Sequence, residues 1–437
     1  MSETTVKECI ERNAEGIMTP EEMQAFETPH DVHEYEAWTP EGLVTAVRTQ
    51  HRIGEDGSGG GFKVIEVANG RPLEDRLASN RRNAGRLAAL MTLKGNLVDL
   101  DLPQGYGNDF GGAKGEMYVP PGTLSSRDRL NAILSDYVLD HASRGTLGIG
   151  VDRYAPDMNT GSPEMDHMSR VLREYTGDSR ATAAFSGKSI EAGGLEGREI
   201  ATGQGLVYAL ANHLEAQGLN PTETTVAVQG SGNVGCHFAR LAAEQLGVKI
   251  IGMSDRDRAV VTDKAHPLRL DETLLFGKRM ISGWDESAHR SLNNPDDMLE
   301  MDVDVFVFAA APDAITEAKG NKTRLRAKHL IMGSNDPLDR QAIDYYLSDG
   351  RALVADFLGN PGGFIASNFE YNQGMTGIRW TEALAMSALK RAMDDAWKQV
   401  YDEAEAAGDT RNMVDPAYRV AMKRQYARDH SGLFVPS

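Results

Sequence analysis

The chain has 437 residues, enough for two or three domains with sizeable cores. Its 41% hydrophobic and 25% charged residues are an ordinary globular mixture, which excludes collagen-like, miniprotein and disordered-tail classes. With 64 acidic against 46 basic residues the net charge is −18, so nucleic acid and anionic membrane are poor bulk partners, and an anionic ligand needs a local basic site.

Two cysteines, Cys9 and Cys236, cannot build a disulfide framework, and no Cys/His cluster has zinc spacing. A reducing cytoplasm suits that usage. Residues 1–15 are polar and lack a signal core, and no apolar run reaches the ~18 residues of a membrane span, so a cytoplasmic protein without membrane association is expected.

In chain order, residues 1–40 carry a scattered helix-like pattern that includes His30 and His33. Two histidines three apart can share a helix face, but no third ligand follows at motif spacing, and no metal is expected. Residues 56–61, DGSGGG, read as a loop whose backbone something approaches closely. Ala84, Leu87, Ala88, Met91, Gly95 and Val98 then repeat at three- and four-residue spacing, the mark of a helix. Lys94 lies on the edge of that stripe, where an ammonium either snorkels to water or meets an anion. A second glycine-rich stretch, GYGNDFGGAKGE at 105–116, sets Lys114 among small residues and reads as a loop with one amine projecting toward a ligand. Asp157, in the acidic turn 151–165, reads from its neighbours alone as the N-cap of a helix running from about Glu164.

The middle of the chain changes character. A buried strand at 225–228 leads into Gly230-Ser231-Gly232-Asn233-Val234-Gly235, a helix over 236–246, a second strand at 248–253, and Asp255, 20 residues after the last glycine. A lone GxGxxG is a weak signal. Strand, turn, helix and acid in this order form the dinucleotide fingerprint: glycines admit the pyrophosphate to the backbone, the helix start offers N–H groups, and the acid accepts from a ribose hydroxyl. Strands at 303–308, 329–332 and 352–354 end in AAAPDA, GSNDP and GNPGG, tips expected to line the same crevice. A helical pattern over 380–407 is expected to return to the first domain.

Taken together, MTLK (91–94), FGGAKG (110–115), APDMNT (155–160), GLEGREIATGQG (194–205), VAVQGSGNVG (226–235) and NPGGFIASNFE (360–370) resemble, in order and separation, the glutamate/leucine/phenylalanine/valine dehydrogenase family. The resemblance implies a two-domain α/β protein. An N-terminal substrate-binding and oligomerisation domain over 1–198, completed by C-terminal helices over 366–437, flanks a Rossmann dinucleotide-binding domain over 199–365. It also implies reversible oxidative deamination of an L-amino acid to a 2-oxo acid and ammonium, with NAD, or alternatively NADP, as hydride acceptor, in a homo-hexamer or a hetero-oligomer with a paralogue.

Residue by residue, Lys94 matches the lysine that pairs with the substrate α-carboxylate. Lys114 matches the catalytic lysine that activates water and stabilises the carbinolamine and iminium. Asp157 matches the aspartate that shuttles protons to the amino group, which displaces the N-cap reading. Arg198 and Thr202 match positions that contact the cofactor, and Asn335 an asparagine near the nicotinamide. Asp255 favours NAD because a carboxylate repels a 2′-phosphate, although Arg256 and Arg258 follow directly.

The departures concern the substrate side chain. In glutamate-specific relatives a lysine binds the side-chain carboxylate, and Gly59 stands in its place. Ser367 matches the serine that helps hold the same carboxylate, and Lys63 offers itself as a substitute for the missing lysine. An insertion over 104–109 borders Lys114, and Glu116, Pro361 and Asp313 depart from the family pattern. Glutamate is the first candidate substrate, with branched-chain or other apolar amino acids second. A non-catalytic regulatory paralogue that senses amino acids beside an active subunit is the alternative reading.

Overall fold

The computed structural model describes residues 4–68, 70–270 and 289–430 and divides the chain into two units, one built on a five-stranded sheet and one on an eight-stranded sheet.

The five-stranded unit holds residues 18–198 and 364–388. Its strands are β1 (Asp31–Thr39), β2 (Gly42–Gln50), β3 (Ser58–Glu66), β4 (Gly111–Val119) and β5 (Asp152–Pro156), in the order β1-β2-β4-β3-β5. β1 and β2 form an antiparallel hairpin, β2 is antiparallel to β4, and β3 runs parallel to both β4 and β5. Three sequence expectations change here. Residues 31–39 are strand, because their two-residue burial alternation near Tyr35 outweighs the helix-like pattern. The loop expectation holds for 56–57 and 105–110, but 58–61 and 111–116 are strand residues of β3 and β4 at the centre of the sheet. A Cβ at Gly60 would overlap the Ala113 carbonyl, and one at Gly112 would overlap the backbone of Ala88 and Thr92. Gly60 and Gly112 have no positive φ; they are there because neighbouring backbone comes too close for a side chain.

Helices cover the sheet. α4 (Arg127–Ser143) and α5 (Ser162–Thr176) contribute to a core with Phe62, Tyr154 and Phe185, in which Phe62 stacks on Tyr137 at 4.9 Å and the Tyr137 and Tyr154 hydroxyls share a 2.9 Å hydrogen bond. α3 (Leu73–Leu97) realises the apolar stripe and packs its C-terminal half on β4, where the Gly112 amide donates to Thr92 Oγ1. Because α5 starts at Ser162 with Gly161 as its N-cap, Asp157 caps no helix.

The eight-stranded unit holds residues 199–363, the described stretch 389–430 and residues 4–17. Its order is β13-β12-β11-β10-β6-β7-β8-β9, with β6 (Thr225–Gln229), β7 (Lys249–Ser254), β10 (Val305–Phe308), β11 (His329–Met332), β12 (Ala352–Val354) and β13 (Asn412–Met413) parallel, and β8 (Ala259–Val261) and β9 (Arg290–Leu292) forming an antiparallel edge. The parallel strands are continuous apolar runs because both faces are covered. α6 (Ala201–Ala216) and α7 (Asn233–Leu246) pack together against this sheet.

The domain boundary near residue 198 coincides with the unit boundary, but both ends of the expected first domain differ: residues 4–17 join the eight-stranded unit, and so does most of the C-terminal stretch. Only 364–388 joins the five-stranded unit, and 389–430 joins the eight-stranded one; residues 431–437 of the expected domain lie outside the described residues. The helix Glu382–Ala406 therefore runs from one unit into the other. Three contacts explain the difference. β13 adds to the sheet beside β12, Arg340 reaches Asp415 with two hydrogen bonds, Nη1 to Oδ1 at 2.6 Å and Nη2 to Oδ2 at 3.2 Å, and α1 (Thr4–Ala14) packs on the helix Asp415–His430. None of them is visible in a helical periodicity. Among the described residues no helix is long and apolar enough to cross a membrane, and no group of three His, Cys, Asp or Glu side chains is placed to hold a metal. His33 contacts Gln50 and Asp31 instead.

Candidate active site

β3, β4 and β5 bring the chemistry of the five-stranded unit together. Their register sets Gly59 between Gly112 and Arg153, and two residues on, Gly61 beside Ala155. Lys114 Nζ, on β4, meets Asp157 Oδ2, just past β5, at 2.5 Å. A Cβ at Gly61 would stand 2.8 Å from that Nζ and 2.9 Å from that Oδ2, so the bare glycine leaves room for the pair. Burial by itself raises the Asp157 carboxyl, but the Lys114 ammonium, the Met158 amide and the charge of Lys63 outweigh it and hold Asp157 below the usual carboxylate range. The result is an ionised carboxylate, 27% exposed, touching a buried lysine. Such a pair can exchange a proton with a ligand that enters between them.

Beneath this face lies a rigid support. Arg48, fully buried, forks onto Asp152 (Nε to Oδ2 2.7 Å, Nη2 to Oδ1 2.8 Å) and donates to the carbonyls of Gly60, Gly61 and Arg153. Burial pulls the Arg48 pKa down, but the paired Asp152 more than reverses that, so the guanidinium stays charged. Arg48 thereby ties the glycine strand to β5 and holds Lys114 and Asp157 in register.

The other expected residues fall into separate places. Lys94 is buried in the last turn of α3. Lys63 is engaged by Glu116 at 2.5 Å, and Glu116 also accepts from Asn80 and Asn83, so the Glu116 departure is matched by a partner set. Gly59 faces the guanidinium of Arg153. Ser367 is buried, its Oγ accepting from Arg198 Nε at 3.2 Å and its carbonyl from Arg153 Nη1 at 3.0 Å. Arg198, expected at the cofactor, thus belongs to the five-stranded unit and binds Ser367.

The nucleotide residues gather at the carboxyl ends of the eight-stranded sheet. β6 leads with neighbours β7 and β10 in opposite directions, which makes its C-terminal end the topological switch point. Gly230 has φ +108° and lies against Ala309, where a Cβ would come 2.7 Å from the carbonyl. Gly232, the N-cap of α7, opens onto free space, whereas a Cβ at Gly235 would overlap the Gly230 carbonyl. Ser231 is buried, and Asn233 donates to the Glu199 carbonyl at 3.0 Å and opens α7 together with Val234. Asp255 follows β7; its Oδ1 accepts from the amides of Asp257 and Arg258, while its buried Oδ2 has no hydrogen-bond partner among the described residues. That orphan oxygen, the open Gly232 and the α7 N–H groups fit a dinucleotide. Asn335 accepts from Asn360 at 3.2 Å, which joins the GSNDP and GNPGG tips, and Thr202, the second residue of α6, lies beside Gly362.

Sequence reasoning missed Gly61, Arg48, Asp152 and Arg153. The available signal was the tripeptide Asp152-Arg153-Tyr154, which places opposite charges on opposite faces if read as strand. Reading the preceding glycines as loops hid it.

Comparisons with known proteins identify the family. The model of the glutamate/leucine/phenylalanine/valine dehydrogenase family matches residues 193–431, and that of the Glu/Leu/Phe/Val dehydrogenase dimerisation domain matches 35–174. The chain belongs to this family. It is 33% identical over 315 residues, 72% of this chain and 73% of the relative, to the NADP-specific glutamate dehydrogenase A1 of Halobacterium salinarum. It is 29% identical over 395 residues, 90% of this chain and 87% of the relative, to the glutamate dehydrogenase of Thermotoga maritima. Among solved structures, the hetero-hexameric glutamate dehydrogenase of Thermus thermophilus in its leucine-bound form superposes with a TM-score of 0.81 at 23% identity, covering 98% of this chain and 96% of that one, which places the two in one fold. The dehydrogenase is an oxidoreductase acting on CH–NH2 groups with a nicotinamide dinucleotide.

Proposed function

We propose that this dehydrogenase oxidatively deaminates L-glutamate to its 2-oxo acid and ammonium, reversibly, with NAD. The single observation that carries the catalytic reading is the Lys114–Asp157 contact in front of Gly61. A non-catalytic regulatory subunit has no need of this ion pair, and the relatives named glutamate dehydrogenase support the substrate.

In the mechanism that follows, Lys94 pairs with the substrate α-carboxylate. Asp157, kept ionised by Lys114, takes the proton of the α-ammonium and frees the nitrogen lone pair that hydride departure requires. The bound nicotinamide would supply the hydride acceptor, with Gly230 to Gly235 around the pyrophosphate and Asp255 on the ribose. Lys114 orients a water whose oxygen adds to the iminium carbon and stabilises the carbinolamine; as this collapses to the 2-oxo acid, Asp157 returns its proton to the nitrogen, one water proton completes the ammonium, and the other is released to solvent. The orphan Asp255 Oδ2 supports NAD, since a 2′-phosphate would be set against a carboxylate; Arg256, exposed and paired with Asp257, and Arg258 are the residues that would serve NADP. A homo-hexamer, or a hetero-oligomer with a paralogue, is the assembly the family suggests.

The test is initial-rate spectrophotometry of the purified protein with L-glutamate and a panel of apolar L-amino acids, using NAD and NADP at equal concentration. Glutamate with NAD gives the highest kcat/KM if the reading holds. Turnover of leucine or valine but not glutamate moves the substrate, and no turnover with any of them favours the regulatory subunit.

A further inference from the structure

Among the described residues, one cation in the five-stranded unit, Arg153, has no paired carboxylate. Arg153 is only 2% exposed, its Nη1 donates to the Ser367 carbonyl, and its buried Nε has no hydrogen-bond partner among the described residues. The carboxylates whose charge reaches it are committed elsewhere. Asp56 Oδ2 accepts from the Gly107 and Asp109 amides, and Glu370 from Lys188 Nζ and the Gly187 amide. The guanidinium instead lies 3.8 Å over the Phe110 ring. Burying an arginine without a paired counter-charge is costly, and burial, the largest cause, pulls its pKa down to about 10 despite the opposing charges of Tyr371, Asp56 and Glu370.

Its position gives that cost a use. A Cβ at Gly59 would stand 3.0 Å from Arg153 Nη2 and 3.2 Å from Nε, so the guanidinium fills the volume that a side chain on Gly59 would enter. Gly59 is where glutamate-specific relatives carry the lysine for the substrate side chain. The cation missing from β3 is therefore delivered from β5. Ser367, which matches the serine for the same carboxylate, is held by both Arg153 and Arg198. Arg153 projects from the same face as Ala155, one two-residue step (~6.5 Å) along the sheet from the Gly61 row where Lys114 and Asp157 meet. That step suits the reach of a five-carbon dicarboxylate. Lys63, the other candidate, is held by Glu116 at the opposite end of the row.

We propose that Arg153 is the specificity residue of this dehydrogenase, binding the substrate's side-chain carboxylate beside Ser367 in place of the lysine that Gly59 lacks. This rests on the dehydrogenase reading above and deepens it to dicarboxylic amino acids. An arginine presents a planar fork that can grip a carboxylate with two bonds, which a lysine cannot.

Calorimetric titration with glutarate and with valerate tests the site without turnover. The wild type should prefer glutarate over valerate by about 100-fold, and Arg153→Met should abolish that preference. The relocated pair Gly59→Lys/Arg153→Ala should restore most of it, and Gly59→Ala, which crowds the guanidinium without removing it, should weaken glutarate alone. An Arg153→Met protein that melts like the wild type and still prefers glutarate overturns the proposal, as does an equal loss of both ligands or a wild type without preference. Should Arg153→Met not fold, the relocated pair and Gly59→Ala decide it. Failure to turn over any amino acid would end the glutamate reading while a glutarate preference lost in Arg153→Met leaves this site standing; glutamate turnover indifferent to Arg153 does the reverse.

Discussion

The two units spend their glycines differently. In the eight-stranded unit Gly230, Gly232 and Gly235 sit at a turn, where one needs positive φ, one leaves open space and one admits a neighbouring carbonyl. In the five-stranded unit Gly59, Gly60, Gly61 and Gly112 are extended residues inside strands, where they leave room for ions and backbone brought by neighbouring strands and α3. A glycine turn is a local device; a glycine strand is useful only because of what lies opposite it. That difference explains why the first is recognisable from six residues and the second is not.

The largest effect should come from the glycine strand. Lys114→Ala should lower kcat by up to about 10⁴-fold, the upper range for a positioned acid–base group, without changing the far-UV dichroism. Gly61→Ala, whose methyl would enter the Lys114–Asp157 contact, should lower kcat by about 100-fold with both charged groups still present. Near wild-type activity in Gly61→Ala would remove the glycine strand's role.

The nucleotide turn should separate into two behaviours. Gly235→Ala forces the Gly230 carbonyl to move and should lower the melting temperature as well as cofactor affinity, whereas Gly232→Ala faces open space and should melt like the wild type while binding cofactor more weakly. Differential scanning fluorimetry with and without NAD measures both.

Next comes the Arg340–Asp415 pair, which ties the C-terminal stretch into the eight-stranded unit. Arg340→Met should cost ~3 kcal/mol in urea unfolding, because it strands a mostly buried carboxylate. Burial raises the Asp415 carboxyl, but hydrogen bonds and charge from Arg340, with Asn13 and Asn412, bring it down to about 2. A depressed carboxylate contributes its stability above the unfolded value of roughly 3.9 and loses it as pH falls toward 2. Stability should therefore fall between about pH 4 and 2 in the wild type, and this part of the slope should disappear in Arg340→Met.

The smallest effect concerns Cys9, which burial pushes up to about 12 despite the Arg340 contact. Its thiol should resist alkylation at pH 8 in the native protein and react after denaturation, as read by peptide mass spectrometry.

Part of the site is legible in the chain. The family pattern marks Lys114 and Asp157, 43 residues apart, as candidates, and β4 and the end of β5 bring the two to 2.5 Å. Asp255 stands just past the end of β7, with an Oδ2 that has no hydrogen-bond partner among the described residues. The glycine-rich segments are legible only in part. Residues 58–61 and 111–116 have no side-chain alternation, so neither local propensity nor periodicity registers them as strand, and the charged neighbours Arg48, Asp152 and Arg153 have no frame to be read in.

By itself, the sequence determined the parallel nucleotide sheet, its glycine turn and the family, because contiguous apolar runs and a six-residue turn are local signals. Only the tertiary structure decided that the glycine stretches are central strands, that the chain beyond residue 388 rejoins the eight-stranded unit, and that Arg153 stands over Gly59. Each of these depends on which strand lies beside which, and strand neighbours distant in the chain are set by packing and register, which no local pattern of residues encodes.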